Sequence, residues 1–273
     1  DSGLDHDSLA SDSFVNGKER SKRRFAEFAR IIESPVTVER ADLQKMNDAI
    51  IHRGPDDDGF YFNESVGLGM RRLAIIDLAH GQQPIHNRDR AVWIVFNGEI
   101  YNFQQLRKDL EERGHVFYTS SDTEAIVHSY DEYGADWVQH LRGMFPFAIW
   151  DEKDKSLFIA RDRVGKKPLL YSHRANGDLI FGSEFQALLA HPDISREIDY
   201  KAIDSYLSYL CVPAPQTAFK QIRKLEPAHW LRWKEGKIET RRYWQPGFLK
   251  KIKNLEEKAI EESRGYVDLD PEH

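Results

Sequence analysis

Twice in the middle of the chain, two apolar runs stand so close together that only a tight turn can join them. "MFPFAIWD" (Met144–Asp151) meets "SLFIARD" (Ser156–Asp162) across Glu152 to Lys155, and "PLLYSH" (Pro168–His173) meets "DLIFGS" (Asp178–Ser183) across Ala175-Asn176-Gly177. Connections this short permit only antiparallel neighbours, because a parallel pair needs a long crossover. "HWLRW" (His229–Trp233), Glu235-Gly236 and "IETRRYW" (Ile238–Trp244) repeat the pattern. Strand-like runs also occur at "GFYF" (Gly59–Phe62), "VGLGMRRLAIID" (Val66–Asp77), "AVWIVF" (Ala91–Phe96) and "HVFYTSS" (His115–Ser121).

Helices separate these runs. Leu43, Met46 and Ile50 recur at helical spacing before Gly54-Pro55 stops the pattern, and Leu106 and Leu110 mark a helix from Phe103 to a stop at Gly114. Asp122 is placed to cap a helix from Thr123 to Tyr133, closed by Gly134; two more helices are expected at Glu184–Ala190 and Tyr200–Leu210. Strands outnumber helices without regular alternation, so the class is α+β with largely antiparallel sheets rather than a Rossmann sheet. At 273 residues, 40% of them hydrophobic, the chain can bury a substantial core.

A net charge of -6 without a basic stripe argues against nucleic acid as the main partner. No apolar run approaches the length of a membrane span, the acidic, Ser-rich start is unlike a secretory signal, and the default location is cytoplasmic. Residues 1–24, with the basic patch "KERSKRR" (Lys18–Arg24), read as a polar tail. The single cysteine, Cys211, excludes an internal disulfide and a Cys-based metal site, and is expected to be buried and free. "HRGPDDDG" (His52–Gly59) offers one His and three carboxylates, but at a spacing that suits no tetrahedral metal site, so no metal is expected.

Asn97-Gly98 in "VFNGEIYNF" poses a choice. Asn-Gly between apolar runs is ordinarily a two-residue hairpin turn. Asn176-Gly177 fits that role, with a strand-like run on each side. After Gly98 only Glu99 to Asn102 precede the helix at Phe103, which leaves little room for a returning strand. What remains is a strand end carrying a carboxamide, a backbone N–H open to close approach, and a carboxylate at Glu99. An amide donor beside a backbone N–H is the equipment of an oxyanion hole.

"HRGPDDDG", "RRLAIID" (Arg71–Asp77), "FNGEIYN" (Phe96–Asn102), "SSDTE" (Ser120–Glu124), "GMFPFAIWD" (Gly143–Asp151), "ARDRVGKKPLLY" (Ala160–Tyr171) and "FGSE" (Phe181–Glu184) stand in the order seen in a known family. Over Val36–Trp244 the chain resembles the glutaminase half of glutamine-hydrolysing asparagine synthetases, which are class II glutamine amidotransferases of the N-terminal-nucleophile hydrolase fold. The resemblance implies a four-layer α/β/β/α sandwich spanning residues 25–244. It also implies a site for L-glutamine. Arg72 would pair with the α-carboxylate, Glu99 and Asp122 would hold the α-ammonium, and Leu73, Ala74, Ile75 and Ile76 would line the site through their backbone. Asn97 and Gly98 would stabilise the oxyanion. Arg161, Asp162 and Arg163 are expected to form a structural ion-pair cluster.

The chain departs from the family pattern at both ends. Family members begin with Cys-Gly-Ile, whose thiol attacks the glutamine carboxamide while its α-amino group serves as base. Ser2-Gly3-Leu4 mimics that triplet, but polar "DHDSLASDS" follows where a buried strand is needed. Setting "FARIIESPV" (Phe28–Val36) on the family's first strand puts Ala26 where the cysteine belongs. Residues 245–273 read as a truncated connector, including the helical run "LEEKAIEE" (Leu255–Glu262), toward a synthetase domain whose "SGGxDS" loop is absent. ATP and magnesium would belong to that domain, so no cofactor is expected here. The expectation is a domain that binds glutamine without turning it over. A glutamine-sensing or synthetase-docking subunit, and the glutaminase half of another class II amidotransferase, stay open as alternatives. The family's habit of dimerising implies a homodimer.

Overall fold

A computed structural model describes residues 27–32, 39–72 and 82–247, with side chains from residue 39 on. The polar stretch 1–24, Ala26, Leu73 to Ile76 and the run Leu255–Glu262 lie outside the described residues. The chain divides into two compact units, Asp1–Tyr243 and Trp244–His273. The fold is that of the first.

In chain order its elements begin with β1 (Glu27–Ile32), α1 (Arg40–Asp48), β2 (Asp57–Phe62), β3 (Val66–Arg72), β4 (Ile85–His86), β5 (Val92–Phe96), β6 (Glu99–Ile100), α2 (Phe103–Glu112) and α3 (Asp122–Tyr133). There follow α4 (Trp137–His140), β7 (Gly143–Met144), β8 (Pro146–Asp151), β9 (Ser156–Arg161), β10 (Leu170–His173), β11 (Leu179–Gly182), α5 (Phe185–Leu189), α6 (Tyr200–Tyr209), β12 (Arg223–Lys224), β13 (His229–Lys234) and β14 (Lys237–Arg242). One six-stranded sheet has the order β12-β10-β11-β1-β3-β2 and the other β14-β13-β9-β8-β5-β4, with β6 and β7 forming a small ribbon. Their pairings are antiparallel, as the short turns require.

Alternation of side chains along the strands sorts the apolar residues into three cores and so sets four layers. Val66, Leu68 and Met70 of β3 meet Val95, Ala148, Trp150, Leu157 and Ile159 between the sheets. The alternate residues Ile94, Phe96, Phe147 and Ile149 face outward under α2, α3 and α4, where Leu106, Leu110, Ile126, Val127 and Trp137 cover them. On the far side, Leu43, Met46 and Ile50 pack with Ile180, Ala187 and Leu188. Gly69 admits α1 there, since a Cβ would stand 3.3 Å from Leu43 Cδ1. The resulting α/β/β/α order is the expected one.

Local signals explain most boundaries. Gly114 ends α2 at φ +96°, its N–H bonding Glu111 O while His115 N bonds Leu110 O, both at 3.0 Å; this pair of bonds is a Schellman closure. The cap of α3 is Ser121, whose hydroxyl accepts from Thr123 N at 3.1 Å, so Asp122 is the first helical residue and not the cap. "HVFYTSS" forms no strand. Its amides turn to a side chain instead, with Tyr118 N and Thr119 N donating to the Glu124 carboxylate at 2.8 and 2.7 Å. Backbone donors satisfied that way have none left for a ladder.

The two Asn-Gly pairs differ as their flanks suggest. Asn176-Gly177 closes the β10–β11 hairpin, with Gly177 at φ +94° and its N–H on Arg174 O at 3.0 Å. Asn97-Gly98 turns nothing. β5 pairs with β8 and β6 with β7 in one unbroken register, Phe96 opposite Phe147 and Glu99 opposite Met144. Asn97 N continues the ladder to Pro146 O at 3.0 Å.

Replacing Leu43 by Ala is expected to cost about 2–5 kcal/mol, because this fully buried side chain fills the space that Gly69 leaves beneath α1. Urea denaturation of the two proteins measures it.

Candidate functional site

The inter-sheet core ends in polar groups where β3 and β5 finish. On β3 the residues facing the second sheet are Val66, Leu68 and Met70, and Arg72 is next on that face. Arg71 points the other way, to Asp48 and to Asn47 O at 3.3 Å. On β5, Val95 faces the first sheet, so Asn97, two residues on in the same ladder, follows it into the inter-sheet space. Arg72 is 7% exposed and Asn97 fully buried.

Among the described residues neither the Oδ1 nor the Nδ2 of Asn97 has a hydrogen-bond partner, a state it shares with buried Asn47. Leaving both ends of a buried amide unmade costs free energy unless something else engages them. Beside it, Gly98 has no room for a side chain, because a Cβ would stand 2.0 Å from Met144 O. The requirement for glycine here is close backbone approach, not a hairpin turn.

Asp122 joins the same place from α3. Its Oδ2 accepts from Ile100 N at 3.0 Å, which ties the helix start to the strand continuing from Gly98. Burial pushes its carboxyl up to about 6; hydrogen bonds from Ile100 and Thr123 oppose the rise, and the negative charge of Glu99 adds to it. Gly98, Glu99 and Asp122 are therefore brought together on the β6–α3 junction.

A residue the sequence motifs do not single out links the pieces. Gln83 donates to Thr123 Oγ1 at 3.4 Å and accepts from Phe96 N at 2.7 Å, while its backbone lies against Gly59, where a Cβ would stand 1.8 Å from Gln83 O. Gly59 pairs with Met70, two residues, or about 7 Å, along β3 from Arg72. Gln83 thus spans the ends of β2 and β5 and the first turn of α3. The second Gln of "GQQP" carries no sequence pattern that announces this.

Other expectations are corrected. Arg161 donates to the carbonyls of Lys167, Gly165 and Leu225 at 2.6–2.7 Å. Buried Asp162 accepts the amides of Phe145, Val164, Lys166 and Lys167. Arg161 and Asp162 are thus tied to the backbone around them, and the Asp162 charge acts on Arg161. Cys211 is exposed, not buried, because it follows the end of α6, where Tyr209 and Leu210 are also exposed. His52 and Arg53 of "HRGPDDDG" turn to Glu184 at 3.3 and 2.7 Å. Among the described residues, no group of three or more His, Cys, Asp or Glu is placed to hold a metal ion, and no helix is long and apolar enough to cross a membrane.

The chain was compared with known proteins. A family model described as "Glutamine amidotransferase domain" matches residues 29–244. Asparagine synthetase [glutamine-hydrolyzing] 1 of Bacillus subtilis is 42% identical over 227 residues, covering 82% of this chain and 35% of that protein. Asparagine synthetase [glutamine-hydrolyzing] of Zea mays is 42% identical over 149 residues, covering 55% of this chain and 25% of that protein. The chain thus spans well under half the length of these relatives. Among solved structures, glutamine phosphoribosylpyrophosphate amidotransferase from B. subtilis aligns over 81% of this chain and 50% of its own, with a TM-score of 0.59 and 18% identity, a likeness of fold alone. On the family match and the shared α/β/β/α architecture, the chain belongs to the glutamine amidotransferases of class II and is homologous to the glutaminase domains of asparagine synthetases.

Proposed function

We propose that this chain is the glutamine-binding domain of an asparagine-synthetase-type amidotransferase, and that it binds L-glutamine without hydrolysing it. The observation that carries the binding half is Asn97, a fully buried carboxamide with no hydrogen-bond partner among the described residues, beside a glycine that admits only backbone. A tetrahedral oxyanion, or the ground-state carboxamide, would take Asn97 Nδ2 and Gly98 N–H as donors. Arg72, at the matching end of the other sheet, supplies a planar cation for the α-carboxylate. Glu99 and Asp122 supply negative charge for the α-ammonium, and Leu73 to Ile76 would complete the wall through their backbone.

The second half rests on sequence. The sequence holds one thiol, Cys211, which follows α6, and the register that sets Phe28–Val36 on the family's first strand would put Ala26 in the nucleophile's place. Without a thiol no thioester forms, and the oxyanion donors serve recognition alone. The same fact favours a second reading, a glutamine sensor that reports occupancy to a synthetase partner. In a relative with the nucleophile, the ammonia would pass to an acceptor that this domain does not specify, aspartate in an asparagine synthetase or another compound, such as a sugar, in a different class II enzyme.

Glutamine at about 100 times its dissociation constant is expected to add roughly 2.7 kcal/mol of apparent stability, with no ammonia released. A melting curve unmoved by millimolar glutamine would remove the binding half, and steady ammonia release the other. Arg72→Lys is expected to weaken glutamine about tenfold or more, because an ammonium cannot form the paired bonds of a guanidinium; isothermal titration of folded protein reads this.

The Asp122 carboxyl is held above the ordinary value of 3.8, at about 6. It is therefore half protonated near pH 6, and ionised Asp122 opposes folding increasingly as pH rises from about 4 to 6. Glutamine needs the ionised form, so its affinity should fall about tenfold per pH unit below 6 and be level above it. Asp122→Asn should bind weakly at every pH, and an unchanged profile in that variant would refute the assignment.

A further inference from the structure

Behind the Asp122 junction lies a row of four titratable side chains that glutamine recognition does not use. His115 Nδ1 is 3.1 Å from His128 Nδ1. The outer nitrogens both face carboxylates, with His115 Nε2 3.1 Å from Glu132 Oε2 and His128 Nε2 3.4 Å from Glu124 Oε1. Glu124 is fully buried and His128 nearly so, while His115 and Glu132 lead outward to Arg113, which bonds Glu132 at 2.8 Å.

The number of protons follows from the partners. An ionised carboxylate only accepts, so each Nε2 must carry a hydrogen. Burial would raise the Glu124 carboxyl, but bonds from His128, Thr119 and Tyr118 bring it below the ordinary value, and bonds from His115 and Arg113 do the same for Glu132. Between the two Nδ1 atoms only one hydrogen fits. Two would oppose N–H to N–H, and none would oppose lone pair to lone pair. All three contacts are made when the two rings hold three protons between them.

The inner end of the row reaches the site. Glu124 accepts from Tyr118 N, Thr119 N and Thr119 Oγ1; Ser121 N donates to Thr119 Oγ1 at 3.1 Å; Ser121 is the cap that sets Asp122 as the first residue of α3. We propose that His115 and His128 share one proton and act as positioning residues for Asp122, holding through Glu124 the turn that aims its carboxylate. This rests on the reading of that carboxylate as the partner of the glutamine ammonium.

The charged and titratable groups around the pair come from several elements. α3 contributes Glu124, Asp131 and Glu132, and the end of α2 contributes Arg113. The turn before β5 contributes Asn87, bonded to Asp131 at 2.9 Å, and Asp89, whose charge acts on Asp131. The Phe117 ring lies 4.4 Å from that of His128, and the Arg107 guanidinium stands 4.5 Å from the Phe117 ring centre.

The test uses the full chain with ¹⁵N-labelled histidine and ¹³C-labelled aspartate carboxyls, in wild type, His115→Gln and His128→Gln. His115 is the more accessible of the two, so its variant keeps the test open if the other fails to fold. Near neutral pH the wild-type pair is expected to show three protonated ring nitrogens, and the Asp122 midpoint to move by about half a pH unit or more in the variants. Neutral rings with one N–H each, or an Asp122 titration unchanged in His115→Gln, would overturn the proposal. Glutamine titration is read separately. Glutamine affinity that is weaker in His115→Gln than in wild type at one pH supports the role, and equal affinity counts against it. If wild type binds no glutamine, the reading of the site fails, while the nitrogen count and the Asp122 midpoint still decide whether the pair positions this carboxylate.

Discussion

One antiparallel ladder organises the molecule, running without change of register from Val92–Asp151 to Ile100–Gly143. Its two faces are the inner walls of two different cores, Val95, Ala148 and Trp150 toward the other sheet and Ile94, Phe96, Phe147 and Ile149 toward the helices. A slip of one residue would exchange those faces and put every one of these side chains in the wrong core. Because the register continues past Phe96, Asn97 inherits the inward direction of Val95, and Glu99-Ile100 remain strand long enough for Ile100 N to meet Asp122.

The polar groups at the end of the sandwich follow from that placement. Apolar packing fills the space between the sheets up to Met70 and Val95, and the next inward positions, Arg72 and Asn97, cannot bury their polar atoms among hydrocarbon. They mark where the apolar core stops. Burial also raises the Asp122 carboxyl to about 6, despite hydrogen bonds from Ile100, Thr123 and Ser121. A group poised there responds to a bound cation more strongly than one in water would.

The hairpins, the helix faces of α1 and α2 and the stop at Gly114 were all readable from spacing, because each depends on residues close in sequence. So was the contrast between the two Asn-Gly pairs, through the length of chain that follows each. "HVFYTSS" misled because its alternation suits a strand, while the partner that claims its amides, the Glu124 carboxylate, comes from the following helix. The cap of α3 was displaced by one residue for a related reason, since Asp122 is held by Ile100 from another strand and Ser121 takes the local role. Cys211 was expected in the interior on the general habit of cysteine, but it comes just after a helix whose last turn presents Tyr209 and Leu210 to solvent.

From sequence alone came the class, the antiparallel order, the absence of any thiol but Cys211, and the residue types able to recognise an amino acid. These are matters of composition, short-range geometry and the order of motifs along the chain. Only the tertiary structure decided that Arg72 and Asn97 point into the same inter-sheet space, that Gln83 ties three elements at their ends, and that two histidines thirteen residues apart meet nitrogen to nitrogen. Those relations depend on how sheets and helices stack across long separations, and a side chain's partners there are set by the neighbouring layer rather than by its own neighbours in the chain.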